Sequence, residues 1–316
     1  MSLLQECREL AYAQPIVERR DPPSAIEFWR DFVSPNRPLI IRGGVCHWPA
    51  FEKWSLDYLQ THYGHLDVSV EATPTGYGDA VLEREGAEPC FVLPESQRWT
   101  FGDYIAHLRR PTKPGVFYIS HQDSNLTAET EFGAQLLADV AGAELPFASE
   151  AFGVPPDAIN FWMGGADATT SLHKDHYENT YAVLRGRKHF TLYSPPSVVV
   201  LPTRELPTYQ YVQDKATGAF EVVQQDAAPR PWIVFDPEQP NHRTRYPATT
   251  ALERIDITLE AGDLLYLPSL WYHQVGLDRV CIAVNCWYDM QYDVKYVLHQ
   301  ALEQAGSLGN TTSAAD

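Results

Sequence analysis

The chain has 316 residues, 44% of them hydrophobic and 12% aromatic, and a formal net charge of -17 at neutral pH. That length can bury a sizeable core as one large domain or two modest ones, and the negative field disfavours DNA or RNA as direct ligands while leaving a basic, lysine-bearing protein as a reasonable partner. The five cysteines Cys7, Cys46, Cys90, Cys281 and Cys286 include no C-x-x-C pair, and no apolar run reaches membrane-span length, so a reduced, intracellular protein without a disulfide framework, structural zinc or membrane segment is expected.

Along the chain, Ser24 and Glu27 form a capping-box pattern ahead of "IEFWRDFV", which predicts a helix stopped by Pro35. "PLIIRG" reads as a strand, "SLDYLQTHYG" as a helix ending at Gly64, "LDVSVEA" as a strand and "TFGDYIAHLRR" as a helix. Residues 1–110 therefore form a helical and strand flank. From "GVFYIS" onward, short strands rich in β-branched and aromatic residues alternate with turn clusters, the signature of a sandwich or barrel over 111–290. The predicted strands are "AINFWMGG", "TTSLHKD", "TYAVLRG", "RKHFTLYS", "YQYVQD", "FEVVQQ", "ERIDITLEAGDLLYLP", "WYHQV" and "CIAVNCWYD", with Arg185-Gly186-Arg187 as a tight hairpin. Residues 291–316 read as a helix with Tyr292, Tyr296, Leu298 and Leu302 on its apolar face, followed by a disordered tail after Ala305.

The H-x-D spacing occurs three times, at His65/Asp67, His121/Asp123 and His173/Asp175. On a strand, residues two apart share a face, so any of these pairs could grip an ion. Only the third is followed, fifteen residues on from its histidine, by a cation, Lys188; the matching positions for the others are Ala80 and Leu136. With His273 as a distant third ligand, His173 and Asp175 match the two-imidazole, one-carboxylate arrangement of non-haem Fe(II) oxygenases, although zinc accepts similar ligands. Lys188 could hold the far carboxylate of a dicarboxylic co-substrate, with a hydroxyl from Thr170 and an amide from Asn179. His176, next to Asp175, should point to the opposite face.

Together, "TTSLHKDHYEN", the following "KHF", "GDLLYLPSLWYHQV" and "IAVNCWYD" resemble the JmjC-domain 2-oxoglutarate oxygenases, from about Ile26 to Tyr296. The resemblance implies a mainly β fold with flanking helices, a double-stranded β-helix of the cupin-like jelly-roll type. It also implies Fe(II), 2-oxoglutarate and dioxygen as cofactor and co-substrates, with His173, Asp175 and His273 as the catalytic metal ligands. Lys188 then pairs with the C5 carboxylate, assisted by Thr170 and Tyr118, and Asn179 and Asn285 line the oxoacid end. The implied reaction is (3S)-hydroxylation of a lysine in a developmentally regulated GTP-binding protein, by a cytoplasmic homodimer, with the nucleus as a second location. A carboxylate at the mouth must then fix the substrate ammonium, for which Glu178, Asp123 and Asp289 are candidates, with Tyr177 and Trp287 as gripping aromatics. The competing readings are metal-dependent cleavage of basic histone tails, histone lysine demethylation and a non-catalytic binding barrel.

Overall fold

Side-chain alternation in the central strands sets the architecture of the computed structural model, which describes residues 3–10, 15–84, 86–111, 114–122, 124–127, 129–140 and 145–311. In the strand Ala158–Gly164, Phe161 and Met163 enter one hydrophobic cluster and Trp162 enters another. A strand that feeds two cores must lie between two layers. It belongs to a nine-stranded sheet whose middle is formed by Leu264–Leu267, Tyr177–Arg185, Cys281–Asp289 and Ala158–Gly164. A five-stranded sheet of Ile255–Glu260, Arg187–Tyr193, Tyr272–Leu277, Thr169–Lys174 and Tyr77–Gly78 closes over its inner face. Val183, Phe190, Leu192, Leu259, Leu265 and Val275 fill the space between the two sheets.

The chain winds from one sheet to the other at almost every connection: Thr169–Lys174, Tyr177–Arg185 and Arg187–Tyr193 alternate between them, as do Ile255–Glu260, Leu264–Leu267, Tyr272–Leu277 and Cys281–Asp289. This is a cupin-like jelly roll. It corrects the expected hairpin at Arg185-Gly186-Arg187, because the flanking strands pair with other partners and never with each other. Gly186 instead turns a corner between sheets, at φ +76° and so close to the opposite chain that a Cβ would stand 2.4 Å from the Val280 carbonyl.

The first third is continuous with the barrel. Leu39–Ile41 pairs with Leu264–Leu267, while Asp67–Thr73, Glu95–Thr100 and Val116–Ile119 extend the other edge of the large sheet. Helices Ala25–Phe28, Leu56–Tyr63 and Phe101–Leu108 cover its outer face, contributing Phe28, Leu59, Phe101 and Tyr104 to the larger core. The Ser24–Glu27 capping box forms as expected, and the helix it starts continues as one π-helical turn over Trp29–Val33. No disulfide links the described cysteines, and no described helix is long and apolar enough to cross a membrane.

The last helix, Val294–Thr311, departs from expectation in two ways. Residues 306–311, expected in a disordered tail, continue the helix, and Gly306 brings its backbone against Val198 and Val199. Its packed face is His299, Leu302 and Gly306, whereas Leu298 is exposed and Tyr292 precedes the helix and is exposed too.

Candidate metal centre and co-substrate pocket

His173 and His273 are direct partners across the ladder between Thr169–Lys174 and Tyr272–Leu277. Each ring holds its Nδ1 against the carbonyl two residues earlier, His173 on Ser171 at 2.8 Å and His273 on Trp271 at 3.0 Å. With Nδ1–H donated there, both Nε2 lone pairs face inward, the tautomer a metal ligand needs. Asp175 completes the group: one carboxylate oxygen lies 3.8 Å from His173 Nε2 and the other 3.7 Å from His273 Nε2. The three ligand atoms lie within 4.8 Å of one another, and no other such cluster occurs among the described residues. Burial, foremost, pushes the His273 imidazolium down to about 4, so the ring is neutral and free to ligate.

A turn over Pro268–Trp271 holds this geometry. The Leu270 N–H, from a residue at φ +68°, donates to the Asp175 carbonyl at 2.9 Å. Asn36 reaches in from the N-terminal flank: its Nδ2 donates to the Ser269 carbonyl, and its Oδ1 and carbonyl accept from the Trp271 indole. Glu178 accepts from the Tyr266 hydroxyl at 2.6 Å and from the Ser269 hydroxyl at 2.9 Å. It is buried on the outer face of its strand, which corrects its assignment to substrate: alternation turns Tyr177 and Asn179 toward one side and Glu178 toward the other.

Lys188 is 1% exposed, and its ammonium donates to the Tyr118 hydroxyl at 2.8 Å and to the Tyr181 hydroxyl. The rings of Tyr118, Trp162 and Tyr181 surround it at 4.7 to 5.5 Å. Burial, foremost, pushes this ammonium down to about 8, with Cys281 acting the other way. Among the described residues no carboxylate pairs with it. A buried cation without a counter-anion is costly, and the cost is offset when an anionic ligand enters.

One cavity joins the two features: it is lined by His173, Asp175 and His273 on one side, Lys188, Tyr118 and Tyr181 on another, and Thr170, Asn179, Asn285 and Trp287 between. Thr170 and His173 are three apart and would face opposite ways on a regular strand. An extra residue in the ladder between them brings both inside, while Leu172 packs outward in a separate cluster. Asn285 is engaged within the protein: Oδ1 accepts from Trp162 Nε1 at 2.7 Å and Asn160 Nδ2 at 3.2 Å, and Nδ2 donates to Asn179 Oδ1 at 3.0 Å. It therefore orients Asn179, whose own Nδ2 has no partner among the described residues.

The remaining sequence candidates fall elsewhere. Tyr177 stacks on Trp287 with rings 4.9 Å apart and lies outside the cavity lining, and Asp289 is exposed at the strand end beside Asp293 and Lys295. Asp123 lies outside the described residues. His176 faces Tyr296 of the last helix. His65 is exposed, and its Asp67 partner pairs with Arg98. Sequence reading missed Asn36 and also Gly164, which pairs with Tyr118 across the ladder and leaves room for its ring; both act through long-range contacts that leave no local pattern.

The cupin-like domain family matches residues 25–294. Over 94% of its length the chain is 45% identical to 91% of a human protein named bifunctional peptidase and (3S)-lysyl hydroxylase JMJD7. It is also 36% identical to JmjC domain-containing protein E of Dictyostelium discoideum, covering 96% of this chain and 92% of that one. Lysine-specific demethylase JMJ32 of Arabidopsis thaliana is 35% identical, over 96% of this chain and 90% of its own length.

Proposed function

The chain belongs to the cupin-like JmjC family, and from that premise we propose that it is an Fe(II)- and 2-oxoglutarate-dependent lysyl hydroxylase in which His173, Asp175 and His273 hold the iron. The observation that carries the reading is the meeting, in one cavity, of a two-imidazole, one-carboxylate donor set and a buried ammonium without a counter-anion. The donor set suits Fe(II), with three protein ligands leaving positions open, and Lys188 suits the far carboxylate of a diacid. Bound iron with 2-oxoglutarate and dioxygen supplies the oxidant that turns a C–H bond into C–OH, releasing succinate and carbon dioxide.

The protein's own residues bind, orient and keep water out. Lys188 and the Tyr118 hydroxyl grip the C5 carboxylate, with the Thr170 hydroxyl, which has no partner among the described residues, in the same lining. Asn179, fixed by Asn285, presents its amide N–H to the oxoacid end. Trp162, Tyr181, Phe190 and Val275 form the dry walls that strengthen these charge-assisted bonds. The substrate is a lysine-bearing protein, a GTP-binding protein of the developmentally regulated class. The enzyme works in the cytoplasm as a homodimer joined through the exposed apolar side of the last helix, where Val294, Val297 and Leu298 lie on one stripe.

The test is mass spectrometry of such a GTP-binding protein after incubation with Fe(II) and 2-oxoglutarate. The expected result is the gain of one oxygen atom on a lysine, coupled to succinate release, for the unaltered enzyme and none for Asp175→Ala. Cleavage of basic tails by a metal-activated water would instead proceed without succinate and leave Lys188 no anion to bind, and loss of a methyl group would mark a demethylase.

A further inference from the structure

We propose that Asp79 receives the side-chain ammonium of the substrate lysine, an inference that rests on the lysyl-hydroxylase reading. A cleft of ≈ 420 Å³ opens beside the metal cavity and shares Tyr118, Gln122, Trp162 and Thr170 with it. Among the described residues lining cleft and cavity, the carboxylates are Glu71, Asp79 and Asp175. Asp175 faces both imidazoles, and Glu71 is taken by His121, whose Nδ1 lies 3.1 Å from Glu71 Oε1. Among the described residues the Asp79 carboxylate has no hydrogen bond or ion pair; His173 foremost, then Arg230 and His121, favour its charge without contact, and Glu71 opposes it. A half-buried carboxylate left unpaired gains most from an arriving cation.

Its placement is tied to the metal centre. The short strand Tyr77–Gly78 pairs in parallel with Thr169 and Thr170, and the Ser171 hydroxyl donates to the Asp79 carbonyl. Asp79 is thus held by the residues immediately preceding His173. Hydroxylation at carbon 3 leaves the ammonium four bonds further along the side chain, so an anchor in the adjoining cleft selects lysine and decides which carbon faces the iron. A purely conformational account of Asp79 also exists, since its φ of +51° is left-handed and aspartate tolerates that region. Asparagine and glycine tolerate it as well, so Asp79→Asn and Asp79→Gly remove the charge while keeping the turn.

The experiment uses saturation-transfer NMR on full-length protein loaded with Zn(II) and 2-oxoglutarate. The probes are an end-blocked heptapeptide with one central lysine among alanines and the same peptide acetylated on that lysine. The unaltered protein is expected to bind the lysine peptide about tenfold more tightly than its acetylated form. In both Asp79 variants the two peptides should bind alike. With Mn(II) in place of zinc, the lysine carbon 3 protons should be the most broadened of the side chain in the unaltered protein. Equal binding of the two peptides by the unaltered protein, or persistent discrimination in both variants, overturns the assignment. Failure of the hydroxylation reading would look different: peptide discrimination through Asp79 with no oxygen added when Fe(II) and dioxygen are supplied.

Discussion

Tyr118 and Lys188 are joined by a 2.8 Å hydrogen bond that exists because position 164 carries no side chain. Gly164 pairs directly with Tyr118 across the ladder, and a Cβ there would stand 2.5 Å from Tyr118 Cδ2 and 2.9 Å from Cε2. Gly164→Ala must therefore move the ring. The expected result is 2-oxoglutarate binding weakened about tenfold, about 1.4 kcal/mol, with metal affinity unchanged. An overpacking cost of about 1–3 kcal/mol in stability accompanies it. Calorimetric titrations with metal and with 2-oxoglutarate separate the two sites; equal loss at both would show that the ring does not act on Lys188 alone.

Lys188 makes co-substrate binding pH-dependent. Its ammonium sits at about 8 in the folded protein against an ordinary 10.5, with burial as the main cause. Above about pH 8 the free protein has lost the proton that the bound dicarboxylate requires, so binding must take one up. Affinity for 2-oxoglutarate is expected to be flat from pH 6.5 to 7.5 and then to fall by up to roughly tenfold per unit above 8. Titrations in buffers of different ionisation enthalpy would count the proton; no uptake at pH 9 would place the carboxylate elsewhere.

The same lowering is a statement about stability. Between about 8 and 10.5 the unfolded chain holds a proton on this lysine that the folded chain has released, so folding stability rises with pH across that window. Below it the ligand-free protein carries the whole cost, on the order of 3 kcal/mol. Lys188→Met removes the charge and takes the ammonium from the Tyr118 and Tyr181 hydroxyls, which still bond each other, so a net gain of ~1–2 kcal/mol is expected in the ligand-free protein, with loss of 2-oxoglutarate binding. Thermal unfolding with and without the diacid checks both signs; a variant less stable than the parent would mean that the tyrosine hydrogen bonds outweigh the burial cost.

The contrast between residues found and missed follows from how far each signal reaches along the chain. His173 and Asp175 were legible because two residues of one strand share a face, and His273 because it sits in a second strand unit with apolar flanks. Lys188 was legible as a cation at a spacing the other H-x-D pairs lack. Thr170 lines the cavity although regular alternation would turn it outward; only the ladder shows the extra residue that brings it in. The alternation that turns His176 away from the metal centre turns Glu178 away as well. Asn36, Gly164 and Asp79 are placed by partners between about 46 and 235 residues distant, which no local window contains.

Glu178 is expected to act through stability. Burial, foremost, lifts its carboxyl above the ordinary 4.5, and its acceptors hold Tyr266 and the Ser269 turn that carries His273. Glu178→Ala leaves the buried Tyr266 and Ser269 hydroxyls and the Ser269 N–H without this acceptor, for an expected loss of about 2–4 kcal/mol. Because the folded state holds this proton more tightly, the group's contribution declines as pH rises above 4.5, and Glu178→Gln should flatten that slope. Denaturant melts at pH 5 and pH 7 test this; a Gln variant with unchanged stability and a raised peptide KM would return Glu178 to the substrate side.

The last helix supplies the remaining test, because its two sides differ in what they touch. His299 is buried and bonds the Tyr272 hydroxyl at 3.3 Å, next to His273 of the candidate metal centre, while Leu302 packs against Val198 and its neighbours. On the other side Val294 is 77% exposed, Val297 61% and Leu298 59%, at the spacing of one helical stripe. A second copy laying the same stripe antiparallel would bury all three residues twice over by symmetry. In the proposed homodimer Leu298→Asp puts a charge into that contact at a side chain largely exposed in the protomer, so sedimentation equilibrium should show self-association weakened at least about tenfold with the melting temperature of the monomer preserved. A dimer of undiminished strength would show that this face is not the contact, and the coupling of the helix to Tyr272 would then concern the protomer alone.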